Sequence, residues 1–535
     1  MAVGGKLDLV EPGAASDGAA NGAGAAIPRY AWFALAVVAA ANLLNYLDRY
    51  ILSILAQSIK ADLKLDDAQL GFLLGTAFAV FYAVVGIAMG RIADRLSRKT
   101  LMAFGVGLWS LMTALGGFAT NFLWLSAARI GVGVGEATAN PCSHALLADT
   151  FPQRNRAMAM AVYLSGSFIG SALALIVGGL IVQHWSDVCP AVPVAGACGL
   201  AGWQAALIAV GLPGIPLALL LLKVREPARP QGDEHSSFGV IAGELAASLP
   251  PFTVLTIYRL GGAGEMLRNL RFVAIIAAVA GLLVWATGDV AQWTASGIGI
   301  YAVVTWGHVQ KLRDRPLYAL TFGCGTFLMA MVGAALLGCI GGAVTVWSAP
   351  YAMRTFAISP VEAGVSLGLL HAVAAVCGVL FGGWLTDRIK QTDRRAPILV
   401  AMLSLIGELP FLIGMLWAPD MTLFLAAYVG FGFFSSLWGG AFAALGQDLV
   451  LPRMRGAAAS AFSLFAIVVA SGAGPYWAGK VSAITGSLQG GLFSLLLLVP
   501  LVLGLFAFTL PRVRAATPEA RRERAAAAGE PVEAL

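Results

Sequence analysis

Apolar residues in this chain come in long runs, separated by short clusters of charge. A helix needs about 20 apolar residues to cross the ~30 Å hydrocarbon core of a bilayer. On that measure the pattern predicts helices over 31–57, 69–90, 100–119, 122–146, 156–183 and 202–223, and a second set over 319–352, 361–386, 396–417, 420–446, 456–482 and 488–510. Between the sets, 272–288 and 293–309 predict an inserted transmembrane hairpin turning at Gly288–Asp289, which makes fourteen helices. The 319–352 run is too long for one straight span, so it is either tilted and broken near its glycines or carries an interfacial end. Residues 238–258, interrupted by Pro250 and Pro251, predict a segment lying on the membrane surface. The expectation is an all-α polytopic membrane protein with a disordered tail (1–28), a six-helix bundle (29–225) and a central linker with the surface segment and hairpin (226–315). A second six-helix bundle (316–511) and a tail (512–535) complete it.

Composition strengthens the membrane reading: 59% of the 535 residues are hydrophobic and 12% charged, where soluble domains carry about 25%. The net charge of +6 does not point to nucleic acid, because the basic residues form short clusters between spans rather than one patch. Those clusters orient the array. Arg91, Arg95, Arg98 and Lys99 lie between the second and third helices, while loop 184–201 has no Lys or Arg. The positive-inside rule then puts both termini in the cytoplasm, as expected for a protein of the bacterial inner membrane. Residues 1–28 lack the basic start and apolar core of a signal peptide. Of six cysteines, only Cys189 and Cys198 share a loop. They either close a disulfide, if that side is oxidising, or remain two thiols. No Cys/His spacing resembles a metal site, and no cofactor is expected.

Charges inside the spans carry the chemistry. Asp48 and Arg49 interrupt the first apolar run, and Arg129 and Glu136 interrupt the fourth. Each charge at the bilayer centre costs ~2.5–3.5 kcal/mol on insertion scales, so such residues mark transport pathways and proton relays. Arg129 and Glu136 are close to two helical turns apart and share a face. These four are the expected substrate and proton-coupling residues.

The halves echo each other. Asp149, Arg154 and Arg156 recur with identical spacing as Asp448, Arg453 and Arg455, and Gly90, Asp94 and Arg95 recur as Gly383, Asp387 and Arg388. Internal repeats of this kind suit two rigid halves rocking about a site between them. In GRIADRLSRK (Gly90 to Lys99) the glycine permits close helix approach, while the acid can pair with nearby helix ends. The motif predicts a cytoplasmic latch of Gly90, Asp94, Arg95, Arg98, Lys99, Asp149 and Arg156, with Asp387, Arg388, Asp448 and Arg455 as its second-half counterpart.

This motif, its echo in GGWLTDR (Gly382 to Arg388) and the two six-helix halves resemble the major facilitator superfamily. Three further stretches resemble its Spinster family: NYLDRYILSILAQSIKADL from Asn45, ARIGVGVGEA from Ala128 and LLADTFPQRNRAMAMAVYLSGSFIG from Leu146. The anion/cation symporters share part of the first two. The Spinster resemblance implies that Asp48, Arg49, Arg129 and Glu136 line a central cavity, and that the substrate is of lysophospholipid or sphingolipid type. The inserted hairpin departs from the twelve-helix pattern. The fifth helix carries Gly166-Ser-Phe-Ile-Gly170, without the Gly-Pro pair of drug/proton antiporters.

Other residues have plainer readings. Gly131-Val-Gly-Val-Gly135 looks like a dinucleotide loop but lies within an apolar helix, where it signals close packing. His144 and Asp149 have an acyltransferase spacing, yet the position matching His144 in the repeat is Ala443, so no enzyme is expected. His144, Trp347, Tyr351, Glu408 and Trp438 are secondary cavity candidates; His371 and Arg354 are further polar positions, Arg354 able to snorkel to the interface. The charges crowd the first half, and the second half is mostly apolar and aromatic. Together they suit a small amphipathic substrate moved by alternating access with protons, in a monomer whose other partner is the bilayer; a symporter of small organic anions is the alternative.

Overall fold

The computed structural model describes residues 29–152, 155–192, 196–226, 243, 245 and 249–531, without the side chains of Arg91, Asp94, Arg95, Ala157, Ser463 and Leu464. Among the described residues there is no strand. The first six spans are α1 (Arg29–Leu63), α2 (Asp67–Gly71 through Ala77–Arg95), α3 (Arg98–Gly116), α4 (Phe122–Glu136 and Ala139–Thr150), α5 (Arg156–Val188) and α6 (Gly202–Gly211 and Gly214–Leu222). The hairpin is α7 (Thr253–Thr287) and α8 (Val290–Arg313). The second six are α9 (Gly325–Phe356), α10 (Pro360–Lys390), α11 (Ala396–Leu416), α12 (Met421–Ser436 and Trp438–Asp448), α13 (Arg455–Ala466 and Gly474–Thr485) and α14 (Leu488–Phe493 through Val499–Ala515). A tail helix, α15, covers Pro518–Ala527. Two six-helix halves and an inserted pair therefore make up the membrane domain.

Several boundaries move for identifiable reasons. The long 319–352 run begins with a separate short helix (Arg315–Leu320), and the span proper starts only at Gly325. Most of the expected surface segment lies outside the described residues. Its end belongs to α7, which breaks at Gly262, a residue in left-handed backbone (φ 74°) that glycine adopts without penalty. The hairpin does turn at Gly288, also left-handed (φ 77°), followed by Asp289. Cys189 and Cys198 form a disulfide in the 184–201 loop. That loop defines one face of the bundle, the loop face; the opposite one carries Arg98, Asp149 and the C-terminal tail, and is called the terminal face.

Small residues set the helix spacings. A Cβ on Gly133 would sit 2.6 Å from the Phe78 carbonyl oxygen, and one on Gly135 would sit 2.8 Å from the Trp109 nitrogen. The Gly-Val-Gly-Val-Gly run thus presses α4 against α2 and α3, as close packing requires. Gly166 packs α5 on α1 in the same way, and the Asn42 amide seals that contact by donating to the Tyr163 carbonyl (2.7 Å) and to Ser167 (2.9 Å). In contrast, a Cβ on Gly90 or Gly383 would meet nothing within 4 Å. The close approach expected of those glycines is not made here.

Two π-helical turns, Phe72–Thr76 in α2 and Ile467–Ala473 in α13, lie against each other across the halves. A π-turn interrupts the regular ladder of helix hydrogen bonds, and the Thr76 hydroxyl donates to the Gly472 carbonyl (2.8 Å). The hairpin straddles this same seam: Gly299 of α8 faces Val80 of α2 and Val468 of α13. Among the described residues its polar ties run to the second half. Lys480 bonds Asp289 (2.6 Å) and the Tyr476 hydroxyl donates to Asp289 (2.7 Å) at the tip; Arg453 bonds Asp314 (2.8 Å) at the base. Arg453 also pairs with Glu530, which docks the tail after α15.

Two outcomes follow from this packing. Gly133→Ala should destabilise the fold by ~1–3 kcal/mol, the usual cost of overpacking, read as thermal unfolding in detergent. Gly86→Ala, where a Cβ meets open space, should cost nothing. The second concerns the hairpin base. Burial pushes the Asp314 carboxyl up, but the Arg453 guanidinium and the Leu317 amide outweigh it and hold it below the ordinary carboxylate range. The tie is then fully present above about pH 4, the unfolded value, and is lost as pH falls through the depressed folded value. Asp314→Asn should cost ~1 kcal/mol after solvent screening, and the gap from the parent should close as the pH of the melt is lowered below 4.

Candidate functional site

The four charged residues expected from the sequence converge between α1 and α4. Asp48 is 1% exposed, Arg129 3% and Glu136 0%, while Arg49 keeps part of its guanidinium accessible. The ion pair runs between helices: Arg49 Nη2 lies 2.9 Å from Glu136 Oε2. Arg129 does not pair with the Asp48 carboxylate; its Nη1 donates to the Asp48 backbone carbonyl (3.2 Å). The Arg49 guanidinium is also caged by rings, lying 4.6 Å from the centre of Phe78, 4.9 Å from Tyr46 and 5.1 Å from Tyr82. Arg129 stands 5.5 Å over Phe78 as well. Such cation–π contacts are worth most where water is excluded.

The cluster is not saturated. Asp48 Oδ1, Glu136 Oε1 and two of the Arg129 nitrogens are buried without a protein partner. Buried polar atoms normally find partners, and exceptions in a native fold mark function. The site can therefore accept a proton or an anionic group without first breaking the Arg49–Glu136 contact.

A polar track leads from it toward the terminal face. Arg49 lies over Tyr82, whose hydroxyl accepts from the Asn140 amide (2.9 Å), and the Tyr163 hydroxyl donates to Asn140 (2.9 Å). His144 packs edge-on against Tyr163 with ring centres 5.5 Å apart. Asn140 and His144, one turn apart, are exposed. Tyr82, Asn140 and Tyr163 were not singled out from the sequence. The spacing of Asn140 and His144 on the face of Glu136 was the signal available.

The second-half candidates do not join this cluster. Trp347 is fully buried and donates its indole N–H to the Pro475 carbonyl (2.9 Å), and the Tyr351 hydroxyl donates to the Leu416 carbonyl (3.1 Å). Both hold α9 to its neighbours. Trp438 packs edge-on against Phe442. Glu408 is buried with both carboxyl oxygens unpartnered, and His371 stacks on Tyr428.

Of the latch residues, Arg98 pairs with Asp149, and in the second half Asp448 pairs with Lys390 (2.5 Å), one position away from the repeat counterpart of Arg98. Both bonds stay within one half. Arg156 donates to the Phe151 carbonyl (3.1 Å), and Lys99, Asp387, Arg388 and Arg455 make no cross-half ion pair among the described residues. The side chains of Asp94 and Arg95 lie outside the described set. The charge cluster that does cross the halves is on the loop face, where the sequence reading had not placed one. Asp67 of α2 takes a two-pronged bond from Arg354 of α9 (2.7 Å each), with Lys60 of α1 (2.6 Å) and Ser482 of α13 (2.6 Å) on the same carboxylate. Arg354 also donates to Gln57 (2.9 Å). It is committed across the interface rather than snorkelling. The loop-face ends are thus tied together, while among the described residues the terminal-face ion pairs Arg98–Asp149 and Lys390–Asp448 each stay within one half.

Comparison with known proteins agrees with this architecture. The family model of the Major Facilitator Superfamily matches residues 38–475. An MFS-type efflux pump of Mycolicibacterium smegmatis is 29% identical over 461 residues, covering 85% of each chain. Protein spinster of Drosophila melanogaster is 28% identical over 310 residues, 58% of this chain and 46% of that protein. In structure, a bacterial homolog of the human lysosomal transporter Spinster, crystallised inward-facing and occupied, superposes with a TM-score of 0.63 at 23% identity, covering 94% of this chain and 97% of the other. With a family match over most of its length and buried charges at the junction of membrane helices, the chain belongs to the Major Facilitator Superfamily, has Spinster proteins among its relatives, and is a membrane transporter and not an enzyme.

Proposed function

We propose that this protein is a proton-coupled secondary transporter that moves an amphipathic, lipid-like molecule with an anionic head by alternating access. The observation that carries the reading is the buried Arg49–Glu136 pair beside Arg129 and Asp48. Two guanidiniums offer an anionic head group its partners, and two carboxyl groups offer places for a proton. Protonating Glu136 removes the charge that holds Arg49 and frees that guanidinium for substrate; deprotonation takes it back. Binding of proton and anion to one pair of groups couples the two flows, as linkage requires. The apolar, aromatic second half supports an oily tail. The mycobacterial relative's description as an efflux pump supports outward movement, and a lipid-like substrate is what the sequence resemblance to the Spinster family implies.

With the terminal face cytoplasmic, as the distribution of Lys and Arg supports, the Asp67 cluster is the outer gate, closed, and the track through Asn140 and His144 leads to an inward-facing cavity. The working unit is the monomer in a bacterial inner membrane. A symporter of small organic anions is the second reading, favoured by the same guanidinium pair. Binding of lysophospholipid against small carboxylates to the purified protein separates the two.

In proteoliposomes under a pH gradient, Glu136→Gln should lower gradient-driven transport at least tenfold while expression is retained. Undiminished pH-coupled transport in this variant would remove Glu136 from the mechanism. For the gate, Asp67→Asn leaves Arg354 and Lys60 without their shared carboxylate. A coupling energy of ~1–3 kcal/mol is enough to shift a two-state population severalfold or more. Spin labels at Lys64 and Thr485, on opposite halves of the loop face, should show a larger population at long distance in Asp67→Asn; an unchanged distance distribution would mean that the cluster does not set the balance.

A further inference from the structure

Between the hairpin and the first half lies a groove of about 560 Å³. Its first-half wall is Phe72 and Phe81 of α2 with Phe122 and Ile130 of α4; its hairpin wall is Ala295 and Ile298 of α8. The groove starts at the loop face, where Gln69 and Asp289 form its rim, and runs inward along α8 to Ile298. At 1.5 Å per residue that path is ~14 Å long, close to the ~15 Å depth of one hydrocarbon leaflet. Leu123, Val290 and Ile298 on its edges are exposed sideways, where the surrounding medium is the bilayer. One turn inside the rim sits a polar group that the protein does not satisfy. Gln292 is 2% exposed and donates its amide N–H to Ser296 (3.1 Å), but its Oε1 meets no donor. An unpaired buried acceptor is costly, and in lipid no water relieves it.

We propose that this groove is a resident-lipid site. A phospholipid of the loop-face leaflet with a primary-ammonium head lays one acyl chain between Phe72 and Ile298, and its head, at the level of the rim, supplies the donor that Gln292 lacks. The depth of the groove, its largely apolar walls and the unpartnered Gln292 acceptor near the polar end select a chain with a donor-bearing head over a protein segment, which would bring further backbone groups needing partners. The two walls are held by different contacts, and in the rocking motion of the proposed transport reading they move separately. The hairpin's ion pairs go to the second half through Lys480 and Arg453, while its contact with α2 at Gly299 is apolar. A fluid chain there fills the gap as the halves rock.

The test uses the full chain in nanodiscs and is independent of transport. Phosphatidylethanolamine carrying a diazirine in its acyl chain should label peptides containing Phe72–Phe81 and Ala291–Ile298 at least fivefold more than those of the α5–α10 face. Ala127→Trp, which fills the groove, should lower that labelling at least fivefold, with Ala127→Ser retaining it. Should Ala127→Trp fail to fold, Leu123→Trp at the rim serves instead. Gln292→Leu should weaken labelling by the ethanolamine lipid more than by a phosphatidylcholine probe, whose quaternary ammonium has no N–H to donate. Glu136→Gln should label as the parent does, so loss of the transport reading leaves this one standing. Labelling no higher than on the α5–α10 face, or unchanged by the filling variant, would overturn the site. Displacement of the probe by a transported amphiphile at equal concentration would make the groove a substrate entry and also overturn it.

Discussion

Burying charge in a membrane protein constrains everything around it, and here the constraint is centred on Arg49 and Glu136. Neither can face hydrocarbon at tolerable cost, so α1 and α4 must present them to each other and hold that register. The 2.9 Å contact does so from two helices far apart in sequence. The rings of Tyr46, Phe78 and Tyr82 complete the shell with electron-rich faces in place of water. Removing one partner from such a pair leaves the other buried and uncompensated, which is worse than having neither. In the proposed mechanism, that asymmetry is what makes the pair responsive to protonation and to an incoming anion.

The helices can bring these groups together only because glycine permits near contact of backbones. Gly133 and Gly135 let α4 approach α2 and α3, and Gly166 and Gly170 do the same for α5 on α1. In lipid there is no hydrophobic drive for helices to associate, so close packing and interhelical hydrogen bonds supply the attraction. The same glycines that resemble a nucleotide loop in the sequence thus fix the geometry of the charged site.

Polar contacts between the halves gather at the loop face. Asp67 gathers donors from α1, α9 and α13, and the paired π-turns of α2 and α13 add the Thr76–Gly472 bond between two and three turns further in. On the terminal face the repeated ion pairs, Arg98–Asp149 and Lys390–Asp448, stiffen each half separately. The hairpin adds a third element across the α2–α13 seam, bound by charge to one half and by apolar contact to the other, an arrangement that permits sliding.

The sequence alone determined the membrane class, the six-and-six repeat, the hairpin with its turn at Gly288–Asp289, and the four charged positions of the central site. Each of these is written in local pattern: run length, charge spacing, and charges that lipid does not tolerate without a use. Which group pairs with which was settled by packing between helices far apart in the chain. Arg49 rather than Arg129 holds Glu136, because register between α1 and α4 depends on glycines packing against other helices. Arg354, which by position alone reaches for the interface, is drawn to Asp67, because the two halves meet at that end. Asp67 itself was illegible: beside Asp66, which caps the helix, it reads as a second helix-start acid, and nothing local tells that an arginine from the other half lies opposite. Gly90 and Gly383 carry the mark of close approach in sequence, yet stand open here, because which face is shut depends on the relation between the halves, and local sequence pattern does not encode that relation.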